Sequence, residues 1–340
     1  MSDTQNSNPM APQSQPRKGR RMSLQDWQAG GGVNGEWRTE VPRAEQLRKA
    51  QMEALESELM KPRSPWGACS LANGIVWPNQ SGGEPHLLTE IKLFELTGEE
   101  YNLLNDEDST YYAKVHAILG NCIKQVATKD GAVTITDPRI IANLPYSMMF
   151  LDRLLVMYAL RRLAQGDVYP FVHVCPKCKK DDLYAVDLRS IGVTPMEDPL
   201  KRTFTTVLPS GAVATWHVLC GSDERGLTEL KEADRKKNSL TNSVAARVDS
   251  LTFEFPERKT VQMAAMSLPQ KVKEVNKLGG RDIQHLWDQF DEVEGDLDSK
   301  VDLKCKFCSH EFSTETHTRG EGFFFPLLLL RNWKKNSSSV

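Results

Sequence analysis

Two pairs of cysteines constrain what this chain can fold into more than any other feature. The first pair is Cys175 and Cys178, and the second is Cys305 and Cys308. Two intervening residues let both thiolates of a knuckle reach one ion, and two such knuckles supply the tetrahedral set of ligands that zinc prefers. The spacing therefore predicts one structural zinc ion, Zn²⁺, bound by all four cysteines.

The long segment between Cys178 and Cys305 far exceeds the spacer of a compact zinc ribbon. The ribbon must therefore be split, with a whole subdomain inserted between its two hairpins. Because all four ligands are thiolates, no coordination position is left open for water, and we expect the metal to have no catalytic role.

Other interpretations of these cysteines stay open. They are a thioredoxin-like redox pair, two disulfides, an iron ion in the same cage, or metal-free buried thiols. His173 and His310 lie beside the knuckles and could replace a thiolate, although a place on the ribbon surface or hydrogen bonds to the sulfurs suit them better. Cys69, Cys122 and Cys220 are expected to be ordinary buried or isolated thiols.

Composition argues against several classes of protein. The 340 residues are 39% hydrophobic and 26% charged, enough for a substantial core, and the formal net charge of −2 gives no overall basic field for nucleic acid. No apolar run has the length of a membrane span, and the N-terminus lacks the apolar region of a secretory signal. Seven cysteines without a disulfide-dense pattern suit a reducing cytoplasm.

Known catalytic motifs are absent from the sequence. It has no nucleotide-binding loop, no GxSxG elbow and no HExxH helix. We therefore expect no enzymatic activity and no small-molecule substrate. An enzyme whose site is dispersed, for example around Trp216 and His217, is an alternative without positive support.

The two ends of the chain are expected to lie outside its folded body. Residues 1–40 are rich in Ser, Gln, Asn, Pro and Gly and predict a disordered arm. Residues 41–86 predict a helix over 43–60 followed by a linker, and residues 327–340 a C-terminal tail.

Two segments between these ends, 87–190 and 191–326, share an order of predicted elements. Each contains a helix opened by a Leu-Pro pair, and each closes with a strand, a CxxC knuckle and a second strand. The first segment also predicts a helix over 111–126, and in the second Gly279-Gly280 is expected to end or break the Leu-Pro helix. The sequence therefore predicts an α+β fold of two related helix-rich repeats, each ending in a β-hairpin knuckle, joined by a split four-cysteine zinc ribbon. The repeats do not match residue by residue, so a chance assembly of common signals stays open.

Five motifs in order resemble those of a known family. They are FELTGEEYNLL, then NLPYSMMFLDRLLVMYALRRLAQGDVY running into VCPKC, then VLPSG, LKCKFC and GFFFP, within residues 87–326. In this order the chain resembles the T4 baseplate proteins, the baseplate hub and tail-assembly proteins of T4-type contractile-tailed phages.

The resemblance implies a non-enzymatic hub subunit or hub assembly factor of a viral tail baseplate. Its location would be the host cytoplasm during assembly, and the virion tail baseplate if the protein stays in the finished particle. Its partners would be other tail or hub proteins, contacted through the helix at 43–60 and through Phe323, Phe324 and Phe325, unless this apolar segment packs back on the core, which we expect rather more. The main alternative is a zinc-ribbon protein of phage transcription or replication, although acidic residues offset the lysines near both knuckles and nucleic acid is not expected as a partner.

Overall fold

The computed structural model describes residues 40–106, 108–230, 239–254, 257–315, 321–326 and 329. Within them the chain folds into a mixture of helices and antiparallel strands. The predicted arm at residues 1–40, apart from Glu40, and the predicted tail at 327–340, apart from Leu329, lie outside the described residues.

The first half contains a four-stranded antiparallel sheet in the order β1-β2-β3-β4. Two helices connect its second strand to its third, and three helices follow its fourth strand and lead to a two-stranded hairpin. The elements are α1 (Glu40–Leu59), β1 (Trp66–Trp77), β2 (His86–Phe94), α2 (Gly98–Asn105), α3 (Tyr111–Cys122), β3 (Ile123–Thr128), β4 (Thr134–Ile135), α4 (Pro138–Ile141), α5 (Leu144–Ser147), α6 (Phe150–Gln165), β5 (Val168–Val174) and β6 (Asp181–Asp187).

The second half contains another four-stranded antiparallel sheet, in the order β8-β9-β10-β11. Helices again connect its second strand to its third, and helices again lead from its fourth strand to a two-stranded hairpin. The elements are β7 (Gly192–Thr194), β8 (Thr203–Val207), β9 (Val213–His217), α7 (Gly221–Glu229), α8 (Ser239–Arg247), β10 (Val248–Phe253), β11 (Lys259–Gln262), α9 (Leu268–Val275), α10 (Gly280–Val293), β12 (Asp296–Asp298), β13 (Lys300–Lys304), β14 (Glu311–Glu315) and α11 (Glu321–Phe324).

The first helix after the second strand begins with a cap in both halves. In α2 the Glu100 carboxylate accepts a hydrogen bond from the Thr97 amide at 2.8 Å, and in α7 Asp223 accepts one from the Cys220 amide at 2.9 Å. Such reciprocal contacts satisfy amides that have no partner within the helix. In each half, therefore, a capped helix begins after the second strand of the sheet.

Each half has its own hydrophobic core. The sheet, α3 and α6 enclose the larger first core, and β8–β10, α8, α9 and α10 enclose the second. Phe323 and Phe324 are buried in the first core, where Phe323 packs edge-on against Tyr158 and Tyr169. These two rings are thus covered by the chain itself, which is the packing on the core that the sequence favoured over contact with a partner, and Phe325 packs beside them.

Helix α1 spans Glu40–Leu59, close to the predicted 43–60. Its Met52 and Leu59 are buried in a separate small cluster with Leu183 of β6. The described part of this helix therefore packs on the first hairpin and not on either main core.

The structure corrects several predictions of secondary structure. The predicted linker before residue 87 contains the twelve-residue strand β1, and the predicted helix over 111–126 ends at Cys122, where β3 begins. In β3 both Ile123 and Val126 are buried, a spacing that also fits a helix. Each half is therefore less helix-rich than expected, because a four-stranded sheet forms in each.

Buried polar groups connect the two halves. Arg202 donates hydrogen bonds to the carbonyl oxygens of Asn73 and Gly74 at 3.0 and 2.8 Å, and the Asn73 side chain accepts one from the Met196 amide at 2.8 Å. Asp152 accepts a hydrogen bond from the Asn73 amide at 3.0 Å. Burial raises the pKa of Asp152 to about 6, although the amides around it act in the opposite direction.

Candidate metal centre

The four predicted cysteines lie at the tips of the two hairpins. Cys175 and Cys178 lie in the turn between β5 and β6, and Cys305 and Cys308 in the turn between β13 and β14. Both hairpins are antiparallel and register-paired up to the turn, so the strands fix the direction of each knuckle. The structure thus brings together residues that lie far apart in the chain.

The two knuckles have the same backbone hydrogen bonds. The Cys175 amide donates to the Lys180 carbonyl at 2.9 Å, and the Cys305 amide donates to the His310 carbonyl at 2.8 Å. The residue after each second cysteine, Lys179 or Ser309, has a positive φ of 59° or 54°. A left-handed residue at this point turns the chain back and leaves both sulfurs of the knuckle on one side.

The four sulfur atoms lie within 4.8 Å of one another. Across the hairpins, Sγ of Cys175 is 3.8 Å from Sγ of Cys308, and Sγ of Cys178 is 3.6 Å from Sγ of Cys305. Four sulfurs held about 2.3 Å from a central tetrahedral ion are about 3.8 Å apart. The cluster could therefore hold a metal ion, and its dimensions fit a tetrathiolate zinc site.

Burial differs between the first and second cysteine of each pair. Cys175 and Cys305 are buried, at 0% and 1% exposure, whereas Cys178 and Cys308 are half-buried. In both knuckles, therefore, the sulfur of the first cysteine faces the interior and the sulfur of the second lies nearer the surface. All seven cysteines are free thiols, so the structure does not contain the two disulfides that the sequence left open.

The pKa values of Cys305 and Cys175 show how readily these two thiols of the cluster lose a proton. Burial raises the pKa of Cys305 to about 12, and hydrogen bonds to neighbouring thiols act in the same direction. Burial opposes ionisation of Cys175 too, but the amides of Cys178 and Lys177 outweigh it and lower the pKa to about 7. Four adjacent thiols cannot all ionise without a cation, and a divalent ion removes that conflict.

Aromatic rings and one lysine join the hairpins beside the sulfurs. The Phe312 ring lies between His173 and Tyr184, at centroid distances of 5.4 and 6.2 Å. Lys306, within the second knuckle, lies 3.3 Å from the buried Asp182 carboxylate of the first hairpin. This ion pair was missed at the sequence level because only the folded chain brings the two residues together.

The histidines beside the knuckles are not part of the sulfur cluster in the described chain. His173 Nδ1 lies 3.5 Å from the Thr314 hydroxyl, and the His310 ring stacks on Phe312 at 6.1 Å. The group that could hold a metal consists of the four cysteines. The histidines therefore contact the hairpins and replace no thiolate.

Comparison with known proteins identifies no family for this chain. No family model, curated protein or solved structure matches this chain. Among the described helices, none combines the length and the apolar character needed to cross a membrane. The functional argument therefore rests on the residues and geometry of this chain.

Other residues considered at the sequence level have structural contacts. Trp216 is fully buried, and its indole N–H donates to the Thr206 hydroxyl at 3.0 Å. His217 lies between two carboxylates, with Nδ1 2.9 Å from Asp249 and Nε2 3.2 Å from Asp223. The two contacts of His217 join β9 to β10 and to α7. No pattern in the sequence indicated them.

Proposed function

We propose that the four cysteines bind one structural zinc ion that joins the two halves of the chain. The observation that carries this proposal is the convergence of four sulfurs from two distant hairpins within 4.8 Å. Four thiolates fill a tetrahedral shell, so the ion has no position for an activated water. Its contribution is to folding, where such sites supply about 10–16 kcal/mol of binding free energy.

The two halves are, in this proposal, copies of one ancestral unit. Support comes from the matching order of strands in the two sheets and from the helices that connect the same strands in each. The matching knuckles add a third likeness, because both have a left-handed residue directly after the second cysteine. The zinc ion then lies between two equivalent hairpins.

The chain itself acts as a non-enzymatic structural or assembly protein of a contractile phage tail baseplate. Support for this part of the proposal is the ordered resemblance of residues 87–326 to T4 baseplate proteins. A metal-joined body with no catalytic motif is compatible with a hub subunit or an assembly factor. The nucleic-acid alternative has less support, because Lys304 and Lys306 are each paired with a carboxylate.

Metal analysis of cysteine variants tests the zinc site. We expect the purified wild-type protein to contain one zinc ion per chain and Cys305→Ala to lose zinc and fold poorly. Cys69→Ala is the matched control, because Cys69 is a half-buried thiol in β1 and should not affect the zinc content. A Cys305→Ala protein that keeps one zinc and normal stability contradicts the proposal.

Quantitative mass spectrometry of infected cells tests the role in assembly. A hub subunit is expected in purified tails in fixed stoichiometry, and an assembly factor in baseplate intermediates but not in finished tails. Absence of the chain from both fractions would exclude the baseplate proposal. Zinc content measured on the isolated protein is independent of that outcome.

A further inference from the structure

Tyr184 of β6 lies between the two hairpins that carry the four cysteines. Its side chain is buried, with 6% exposure. The ring packs edge-on against Phe312 of the second hairpin at a centroid distance of 6.2 Å, and the Lys306 ammonium lies 5.8 Å from the centre of the ring. On the side of its own hairpin, the Phe171 ring lies 6.1 Å away. Both hairpins therefore hold the Tyr184 ring in place.

The hydroxyl group of Tyr184 is buried without a hydrogen bond. Among the described residues, none donates a hydrogen bond to its oxygen or accepts one from it. Such a group costs free energy, and native proteins usually pair buried polar groups. A protonated thiol is only a weak acceptor, whereas a charged acceptor such as a thiolate takes stronger hydrogen bonds. The hydroxyl therefore suits a neighbour that becomes negatively charged.

The sulfurs of the metal centre lie close enough to act on this hydroxyl. Burial raises the pKa of Tyr184, negative charge on Asp182 raises it further, and so does negative charge on three cysteines, Cys305, Cys175 and Cys178. Among these three, Cys305 has the largest effect. Cys305 and Cys175 are also the two interior cysteines, at 1% and 0% exposure. The hydroxyl and the two most buried sulfurs therefore share one region of the interior.

The Asp182 carboxylate is a rival acceptor beside Tyr184. It lies 3.3 Å from the Lys306 ammonium, and it accepts a hydrogen bond from the Leu183 amide at 2.9 Å. Within the described chain, no hydrogen bond joins it to the Tyr184 hydroxyl. Because the carboxylate has partners of its own, the sulfurs are the better acceptors for the hydroxyl.

We propose that the Tyr184 hydroxyl donates a hydrogen bond to a metal-bound thiolate, that of Cys305. This inference rests on the proposed zinc site and deepens it. One divalent ion and four thiolates together carry two negative charges, and a buried charge is costly unless it is hydrogen-bonded. Tyr184 is then a positioning residue, which strengthens zinc binding without coordinating the ion. Because Tyr184 belongs to the first half and Cys305 to the second, the hydrogen bond also connects the halves.

Tyr184→Phe and Tyr112→Phe form the matched pair that tests this role. Each removes one buried hydroxyl that has no hydrogen bond in the described chain. Tyr112 lies in α3, where it packs against His116 and Arg153. Zinc affinity of the full chain is measured by competition with a chromophoric chelator. We expect Tyr184→Phe to bind one zinc ion about tenfold more weakly than wild type, and Tyr112→Phe to bind it within about twofold of wild type.

Cobalt in place of zinc distinguishes a hydrogen bond to sulfur from ring packing or a contact with Asp182. Co²⁺ bound by thiolates has a sulfur-to-metal charge-transfer band in the near ultraviolet. A thiolate that loses a hydrogen bond gives up an electron more easily, so the band should move to lower energy in Tyr184→Phe and stay unchanged in Tyr112→Phe.

The same measurements separate failure of this inference from failure of the zinc site. Equal zinc affinity in Tyr184→Phe and wild type would overturn the role of Tyr184 and leave the zinc site standing. A weaker affinity with an unchanged cobalt band would do the same, because the hydroxyl would then act on a group other than sulfur. A wild-type chain that binds no zinc would overturn both proposals.

Discussion

Gly221 determines how closely the two halves approach at the start of α7. A Cβ atom at this position would overlap the carbonyl oxygen of Pro145. Gly98, the first residue of α2 in the first half, has no atom within 4 Å of an added Cβ. The obstacle at Gly221 is backbone, so it cannot be avoided by a change of rotamer.

Alanine substitutions at these two glycines are predicted to differ sharply. Gly221→Ala should destabilise the zinc-loaded protein by about 3 kcal/mol, because overpacking forces the halves apart. Gly98→Ala should be neutral or slightly stabilising, because alanine favours a helical conformation more than glycine does. Urea unfolding measures both, and equal effects would contradict the close contact with Pro145.

His217 makes stability depend on pH. Burial alone would lower its pKa, but hydrogen bonds to Asp223 and Asp249 outweigh burial and raise it to about 9 from the usual 6.5. A histidine with a raised pKa stabilises the fold fully below the unfolded value. That contribution is lost as the pH rises from 6.5 through about 9.

The variant His217→Gln is predicted to remove most of this dependence. Zinc-saturated wild type should lose on the order of 2–3 kcal/mol relative to the variant between pH 6.5 and pH 9.5. Denaturant unfolding at a series of pH values gives the difference directly. Parallel pH profiles for the two proteins would show that the pairs with Asp223 and Asp249 do not stabilise a charged imidazole.

The sequence alone identified residues whose spacing along the chain marks a site. It missed residues whose contacts form only when distant segments of the chain come together. Cys175 and Cys305 were found because CxxC pairs are local patterns with a known chemical purpose. Arg202 and His217 were not found as interacting groups, because their partners come from other elements. No local pattern marks a histidine that will lie between two carboxylates.

At the scale of elements, helix α1 packs on the two hairpins that carry the four cysteines. Its Met52 and Leu59 pack on β6, and the Lys306 ammonium donates hydrogen bonds to the Gln51 side chain at 3.1 Å and the Leu183 carbonyl at 3.0 Å. Lys306 lies directly after Cys305, so the second knuckle contacts both the first hairpin and α1.

Replacement of Lys306 should therefore loosen α1. In zinc-loaded Lys306→Met, amide hydrogen exchange over residues 49–59 should rise about tenfold, because a charge-assisted contact is lost. Lys304→Met is the control, since Lys304 pairs with the exposed Glu311 within its own hairpin. Zinc content should stay at one ion in both variants, and unchanged exchange in Lys306→Met would contradict this account.

The sequence predicted helices and hairpins better than the sheets. The Leu268-Pro269 pair does begin helix α9, because proline acts locally. Gly279-Gly280 lies at the start of α10, whereas α9 already ends at Val275. Strand β3 was predicted as helix, since it follows α3 without a break and its sheet partner β2 is distant in sequence. Pairing between distant strands overrides local periodicity.

At the scale of the whole molecule, the described residues of the two halves meet through several kinds of contact. These are the sulfur cluster, the buried polar groups around Arg202 and the close contact of Gly221 with Pro145. The mixture of helices and strands was predicted from the sequence, but the polar contacts between the halves could not be, because each depends on their relative position.

X-ray absorption at the zinc edge tests the central claim most directly. In the purified, zinc-loaded protein the account predicts four sulfur ligands at about 2.3 Å and no oxygen or nitrogen ligand. In Cys305→Ala, which lacks one ligand from the second half, that four-sulfur signal should disappear. A bound zinc with nitrogen or oxygen ligands in the wild type, or an unchanged four-sulfur signal in the variant, would contradict a metal ion shared by both halves.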